Sequence, residues 1–247
     1  MEEIHNLFAY DGLKIVQDDT HLAFSVDSLL LADFVQIPKR VKRIADFGCG
    51  NGPIILYLSL KTKKPLFGFD LQKSACELAM KSVSLNHLED QITIVHQDIK
   101  QLHLTYPASY FDVIVSNPPF FKITETSIVN DQVEKTLARH ESELSLETLF
   151  LQVKRMLSTK GLFYMVHRID RLQEVFLLAS QNGFGVKRLQ FVYPIKGKKA
   201  TMMLLELMNN GSQVGLTLEE PFYILERPTV YSEAMKKIHF FGKKEFE

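Results

Sequence analysis

Two hydrophobic rhythms alternate along the 247 residues of the chain. Apolar runs of strand length, at 43–47, 65–69, 92–95, 111–115, 162–166, 186–192 and 201–207, are separated by stretches whose apolar residues recur every three or four positions. That alternation predicts a mostly parallel sheet buried on both faces, because each crossover between parallel strands lays a helix over the sheet. The helical spacing is plainest at Leu146, Leu149, Phe150, Val153 and Leu157, and again at Leu172, Val175, Phe176 and Ala179. Gly161 and Gly183 stand where those two helices should end. The expected fold is therefore α/β, with seven strands and helices on both faces. A lead segment over 1–37 precedes a main domain over 38–210, and a C-terminal extension over 211–247 follows the turn Asn209-Asn210-Gly211-Ser212. The extension should carry one helix around 232–240. Residues 121–144 have no clear period and are long for a connection, which marks them as a functional loop.

Composition narrows the class. With 46% hydrophobic and 23% charged residues the chain belongs among folded globular proteins, not disordered ones. The longest apolar runs, such as 54–60, fall far short of the roughly 18 residues of a membrane span. The acidic start Met1-Glu2-Glu3 lacks the features of a secretory signal, and two cysteines, Cys49 and Cys76, suit a reducing compartment. A soluble, cytoplasmic protein with no membrane partner is expected. The 29 basic and 29 acidic residues exclude a uniformly basic nucleic-acid binder. The balance arises by cancellation, however. Residues 1–37 hold one lysine against seven acids, whereas 161–200 hold seven bases against two. Lys187, Arg188, Lys196, Lys198 and Lys199 fall in that second stretch. Together with Arg139 they are the candidate phosphate contacts of a local basic patch.

Candidate chemistry begins at Asp46-Phe47-Gly48-Cys49-Gly50-Asn51-Gly52, after the first apolar run and before the helical stretch at 53–60. Alternate glycines permit a tight turn and close approach of a ligand to the backbone, and the following helix start offers amide donors. A dinucleotide fingerprint would need its third glycine at 53 or 55, which hold Pro53 and Ile55, and the Gly-Lys-Ser/Thr ending of a P-loop is absent. Asp70 and Asp98 then close successive strand-like runs. A carboxylate 18 residues past Gly52 can accept from both hydroxyls of a ribose, and Asp98 from an adenine amine.

The next strand ends in Asn117-Pro118-Pro119-Phe120. Consecutive prolines fix the backbone and withhold amide donors. The Asn117 side-chain oxygen and the Pro118 carbonyl can accept both hydrogens of a planar amine, with Phe120 as a stacking face. Eight histidines are scattered without metal-ligand spacing, so no metal is expected.

Taken in this order, the motifs resemble the class I S-adenosylmethionine-dependent methyltransferases, a Rossmann-like fold, in their amine-methylating form. The resemblance implies cofactor contacts at Asp46, Gly48, Cys49, Gly50, Gly52, Asp70, Leu71, Asp98, Ile99 and Asn117, with Asn117, Pro118, Pro119 and Phe120 at the reacting amine. Asn-Pro-Pro-aromatic sites serve adenine amines, guanine amines or a release-factor glutamine, and the tetrapeptide does not choose. Five flanks do: 24–34, Ala138-Arg139-His140-Glu141, 161–168, Tyr193-Pro194 before 196–200, and Tyr231-Ser232-Glu233. They are similar to the bacterial family that methylates the exocyclic amine of the adenosine 3′ of the anticodon, position 37, in a valine tRNA. That family implies a tRNA partner held by Arg139, His140, Lys196, Lys198 and Lys199, with no obligate protein partner. The alternatives are a guanine amine in ribosomal RNA, a release-factor glutamine, DNA adenine, or a cofactor-binding RNA chaperone without activity. The first 45 residues leave no room for the N-terminal domain usual in glutamine methylation. The resemblance further implies that Asp46 braces the turn or meets the cofactor's amino group through water, and the 25–28 stretch is expected to cover the cofactor.

Overall fold

In a computed structural model, residues 2–7, 12–18, 25–119 and 144–241 are described. The expected loop at 121–144 lies outside them but for Leu144, and so do Arg139, His140 and Phe120. The first two strands, β1 (Glu2–Asn6) and β2 (Lys14–Asp18), form an antiparallel hairpin of their own. Helix α1 (Val26–Phe34) follows, then β3 (Ile44–Phe47), α2 (Pro53–Lys61), β4 (Leu66–Asp70), α3 (Lys73–Leu85), β5 (Ile92–His96) and β6 (Phe111–Ser116). After residue 143 come α4 (Leu146–Met156), β7 (Leu157–Arg168), α5 (Leu172–Gln181), β8 (Phe184–Ile195) and β9 (Met202–Asn209). Three short strands, β10 (Thr217–Leu218), β11 (Phe222–Arg227) and β12 (Val230–Tyr231), and α6 (Glu233–His239) complete the described chain.

All seven expected strands lie in one sheet, and the C-terminal segment adds three more. The order is β12-β11-β8-β9-β7-β6-β3-β4-β5, with β10 paired to β8. Strands β3 to β7 are parallel, β9 runs antiparallel between β7 and β8, and β11 lies parallel to β8. Alternation along each strand separates two cores. Val113, Val115, Tyr164 and Val166 face α1, α2 and α6, while Ile114, Phe163 and Met165 face α4 and α5. Helix α2 is buried along Pro53–Ser59, which explains why its sequence is a nearly continuous apolar run. Chain order reverses where β3 separates β4 from β6, and a crevice at the carboxyl ends of such strands is where open α/β sheets bind ligands.

One terminator differs from the expectation. Gly183, at φ +71°, does end α5, but Gly161 ends no helix. Helix α4 passes straight into β7 at Leu157, and Gly161 lies inside that strand. A Cβ there would sit 2.8 Å from the Leu157 side chain and the Ser158 carbonyl oxygen, so the site demands glycine for space.

Candidate active site

The glycine turn leaves β3 beside the end of β4. Gly48 and Cys49 both donate backbone N–H to the Phe69 carbonyl, at 2.9 and 3.0 Å. Gly48, Gly50 and Gly52 have φ of +78°, +54° and +91°, a region that favours glycine. Added Cβ atoms at Gly48 and Gly50 would meet nothing within 4 Å, so this stretch of backbone faces open space. The Gly52 amide closes the turn onto the Cys49 carbonyl at 2.9 Å, and α2 starts at Pro53.

Asp70, not Asp46, braces this turn. One Asp70 oxygen accepts from the Gly50 amide and the other from the Gln72 amide, both at 2.8 Å. Each oxygen keeps a further lone pair for a hydroxyl donor. Asp46 has no exposed surface, and neither of its carboxyl oxygens has a hydrogen-bond partner. Burial above all, with the Asp70 charge second, holds its pKa well above the usual carboxylate range. A buried carboxyl without partners is costly and calls for a donor. An open glycine backbone, a ribose-type acceptor and an orphaned acid that would take an ammonium together fit the nucleoside and amino-acid ends of S-adenosylmethionine. Leu71 beside them is exposed and Ile99 buried. Asp98 caps the 3-10 turn Ile99–Leu104 through the Lys100 amide, at 2.9 Å, and pairs with the Lys100 ammonium at 3.3 Å. Burial pushes both free thiols up, Cys76 to about 11, so they are protonated at neutral pH.

Asn117 ends β6 next to this turn. The two strand ends are tied by Ser116, whose hydroxyl donates to the Phe47 carbonyl at 2.8 Å in a fully buried bond. The Asn117 amide nitrogen donates to the Ser28 hydroxyl oxygen at 3.1 Å, and its side-chain oxygen accepts no hydrogen bond among the described residues. Ser28 sits in the first turn of α1, within the 25–28 stretch expected to cover the cofactor. Neither serine's bond was readable in the sequence. Ser28 and Asn117 are 89 positions apart, and a serine in an apolar helix carries no pattern. The turn also holds the N-terminal hairpin. The Asn51 side chain donates to the Val16 carbonyl at 3.1 Å, while the Val16 amide donates to the Ser82 hydroxyl on α3 at 2.9 Å.

The expected basic patch divides. Lys196, Lys198 and Lys199 lie exposed on the β8–β9 connection, and register places that connection at the carboxyl edge of the sheet, since Met202 at the start of β9 pairs with Arg168 at the end of β7. The other two members do not point outward. Arg188 bridges Glu206 at 3.0 Å and Glu219 at 2.7 Å and covers the Phe34 ring at 4.2 Å. Lys187 donates to the Ser212 and Val214 carbonyls. Arg188 answers the buried Glu206, which needs a cation at that depth, and Lys187 is taken up by two backbone carbonyls. His167, buried at the end of β7, has its pKa lowered to about 4 by burial and by Arg171, so its ring is neutral at pH 7. Among the described residues no cluster of three or more His, Cys, Asp and Glu could hold a metal, and no helix is long and apolar enough to cross a membrane.

A parallel sheet with this strand order, a glycine turn after the first of its parallel strands and acids at successive strand ends define a class I methyltransferase. The chain belongs to the methyltransferase small domain family, whose profile matches residues 26–181. A tRNA1(Val) (adenine(37)-N6)-methyltransferase from Tolumonas auensis is 27% identical over 91% of each chain. One of the same name from Yersinia pseudotuberculosis is 28% identical over 91% of this chain and 87% of its own. Among solved structures, a predicted O-methyltransferase from Agrobacterium tumefaciens superposes with a TM-score of 0.69 at 18% identity, covering 88% of this chain and 97% of the other.

Proposed function

We propose that this protein transfers the methyl group of S-adenosylmethionine to the exocyclic amine of adenosine 37 in the anticodon loop of a valine tRNA. The observation that carries the reading is the Asn117 amide, held by Ser28 at 3.1 Å with its oxygen accepting no bond among the described residues, beside the open glycine turn. The relatives' names supply the base and the RNA. Gly48, Cys49, Gly50 and Gly52 receive the methionine end of the cofactor, Asp46 its ammonium and Asp70 its ribose. Leu71, Asp98 and Ile99 border the adenine. When bound, the cofactor supplies a methyl on a positively charged sulfur, a reactive electrophile that needs no acid catalyst.

The chain's own residues act by positioning. The Asn117 side-chain oxygen and the Pro118 carbonyl each accept one hydrogen of the target amine, which draws the nitrogen lone pair out of conjugation and aims it along one line. Pro119 fixes that backbone, and Phe120 offers a face to the base. The amine proton leaves to water after transfer, so no buried base is required. An anticodon-loop adenosine is already unpaired, and extruding it costs less than flipping a base from a duplex. Arg139, His140, Lys196, Lys198 and Lys199 then contact the tRNA, in the cytoplasm and with no protein subunit needed.

The decisive test is incubation of total RNA with labelled cofactor, followed by separation of tRNA from ribosomal RNA, mapping of the labelled fragment and nucleoside analysis. Label in N6-methyladenosine at position 37 is expected. Label in methylguanosine, or in ribosomal RNA alone, would refute the substrate assignment.

A further inference from the structure

At the far end of the sheet, α6 covers one face of β11. Met235 and Ile238 of α6 pack with Phe222 and Ile224 of β11 and with Val192 of β8. Alternation sends Tyr223 to the opposite face, and strand register sets it directly beside Tyr193. Leu189 and Phe191 lie on that face earlier along β8 and join the core under α4 and α5. Tyr193 and Tyr223, beyond them, belong to neither core cluster and are partly exposed. Their ring centroids are 5.3 Å apart with planes inclined at 38°.

Cations follow both tyrosines along the chain. Lys196, Lys198 and Lys199 follow Tyr193 on the β8–β9 connection, and Arg227 ends β11, all of them exposed and without an ion pair among the described residues. The connection is held in shape by the Lys198 amide donating to the Ile195 carbonyl and the Thr201 amide to the Val192 carbonyl. Strand β8 lies three neighbours from β6, which Asn117 follows directly, a lateral strand separation of about 14 Å at the usual interstrand spacing. That distance is suited to neighbours of the target nucleotide in the same loop. Two partly exposed aromatic rings, followed in the chain by exposed cations with no ion pair among the described residues, match the way single-stranded RNA is bound, with bases stacked and phosphates neutralised.

We propose that Tyr193 and Tyr223 form a stacking platform for unpaired anticodon-loop bases next to the target adenosine, with Lys196, Lys198, Lys199 and Arg227 on their phosphates. This rests on the tRNA reading above. The test uses the full chain and a valine anticodon stem-loop carrying 2-aminopurine beside the target position, with affinity measured across a salt series. Tyr193→Ala and Tyr223→Ala should each weaken binding about tenfold and relieve the 2-aminopurine quenching, while Tyr→Phe at either position retains both within about twofold. The slope of log Kd against log salt should be unchanged in the tyrosine variants, because stacking releases no counterions, and shallower in Lys196→Gln/Lys198→Gln/Lys199→Gln. Calorimetric S-adenosylmethionine affinity and melting temperature should match the parent throughout. Full RNA affinity in both alanine variants would overturn the platform and assign this face to a protein partner. An equal loss in the phenylalanine variants would overturn stacking in favour of a hydroxyl contact. If the parent binds neither stem-loop nor full tRNA, it is the tRNA reading that fails.

Discussion

Asp46 and Asn117 are the two residues on which the chemistry turns, and each makes a separate prediction. The buried Asp46 carboxyl has its pKa raised by burial, so the folded, ligand-free protein holds that proton more tightly than the unfolded chain does. The sign follows: the contribution to stability is complete below the unfolded carboxyl value near pH 4 and is lost as pH rises toward the folded value. Ligand-free Asp46→Asn should therefore be more stable than the parent at pH 7, by about 1 kcal/mol or about 3 °C in Tm, with the gap closing toward pH 4. Cofactor binding reverses the order, since an ammonium prefers a carboxylate, and Kd for S-adenosylmethionine should rise at least about tenfold in the variant. A variant less stable than the parent without cofactor would show that Asp46 has a partner after all.

Asn117→Ala should lower kcat by about a hundredfold or more while cofactor affinity by calorimetry stays the same. Ser28 acts through Asn117 and is a positioning residue. With Ser28→Ala the amide can rotate and exchange its oxygen for its nitrogen, so kcat should fall about tenfold with KM for tRNA little changed. Ser28→Thr keeps the hydroxyl and should restore most of the rate. Equal loss in both variants would mean that the serine matters for packing rather than for orienting the amide.

At the level of elements, close approach decides more than propensity does. A Cβ at Gly185 on β8 would lie 2.2 Å from the Ser212 carbonyl oxygen, a backbone atom with no freedom to retreat. Gly185→Ala should cost about 2 kcal/mol, read as a lower urea midpoint at unchanged m-value. Nothing around Gly185 in the sequence announces this, because Ser212 reaches it only after β9 has returned alongside β8. The N-terminal hairpin is a similar case. Its strands carry few apolar residues and β1 is exposed throughout, so the sequence showed no strand rhythm there. Burial of Leu7, Ile15 and Val16 against the core, strand pairing, and the bonds from Asn51, Ser82 and Asn86 hold it in place.

Across the whole molecule, charge is sorted by depth. Arg188 and the lysines at 196, 198 and 199 look alike as a basic run, yet the first is enclosed by Glu206, Glu219 and Phe34 and the others stand in solvent. Neutralising Lys196, Lys198 and Lys199 together should weaken tRNA binding and flatten its salt dependence by up to about three units of slope without altering cofactor affinity. Loss of both affinities in parallel would place these lysines in the fold rather than on RNA.

The sequence by itself determined the layers, the seven central strands, the glycine turn and the Asn-Pro-Pro signature, because each rests on interactions local along the chain: a hydrophobic period, a positive φ, a missing amide hydrogen. Only the tertiary structure decided that Asp70 rather than Asp46 braces the turn, that Ser28 orients Asn117, and that Arg188 faces inward while its neighbours in sequence face out. Those outcomes depend on groups brought together from 18 to 154 positions apart, as the Arg188–Glu206 and Arg188–Phe34 contacts are. Hydrogen-bond partners and depth of burial at such separations are set by strand order and register, which no local pattern encodes.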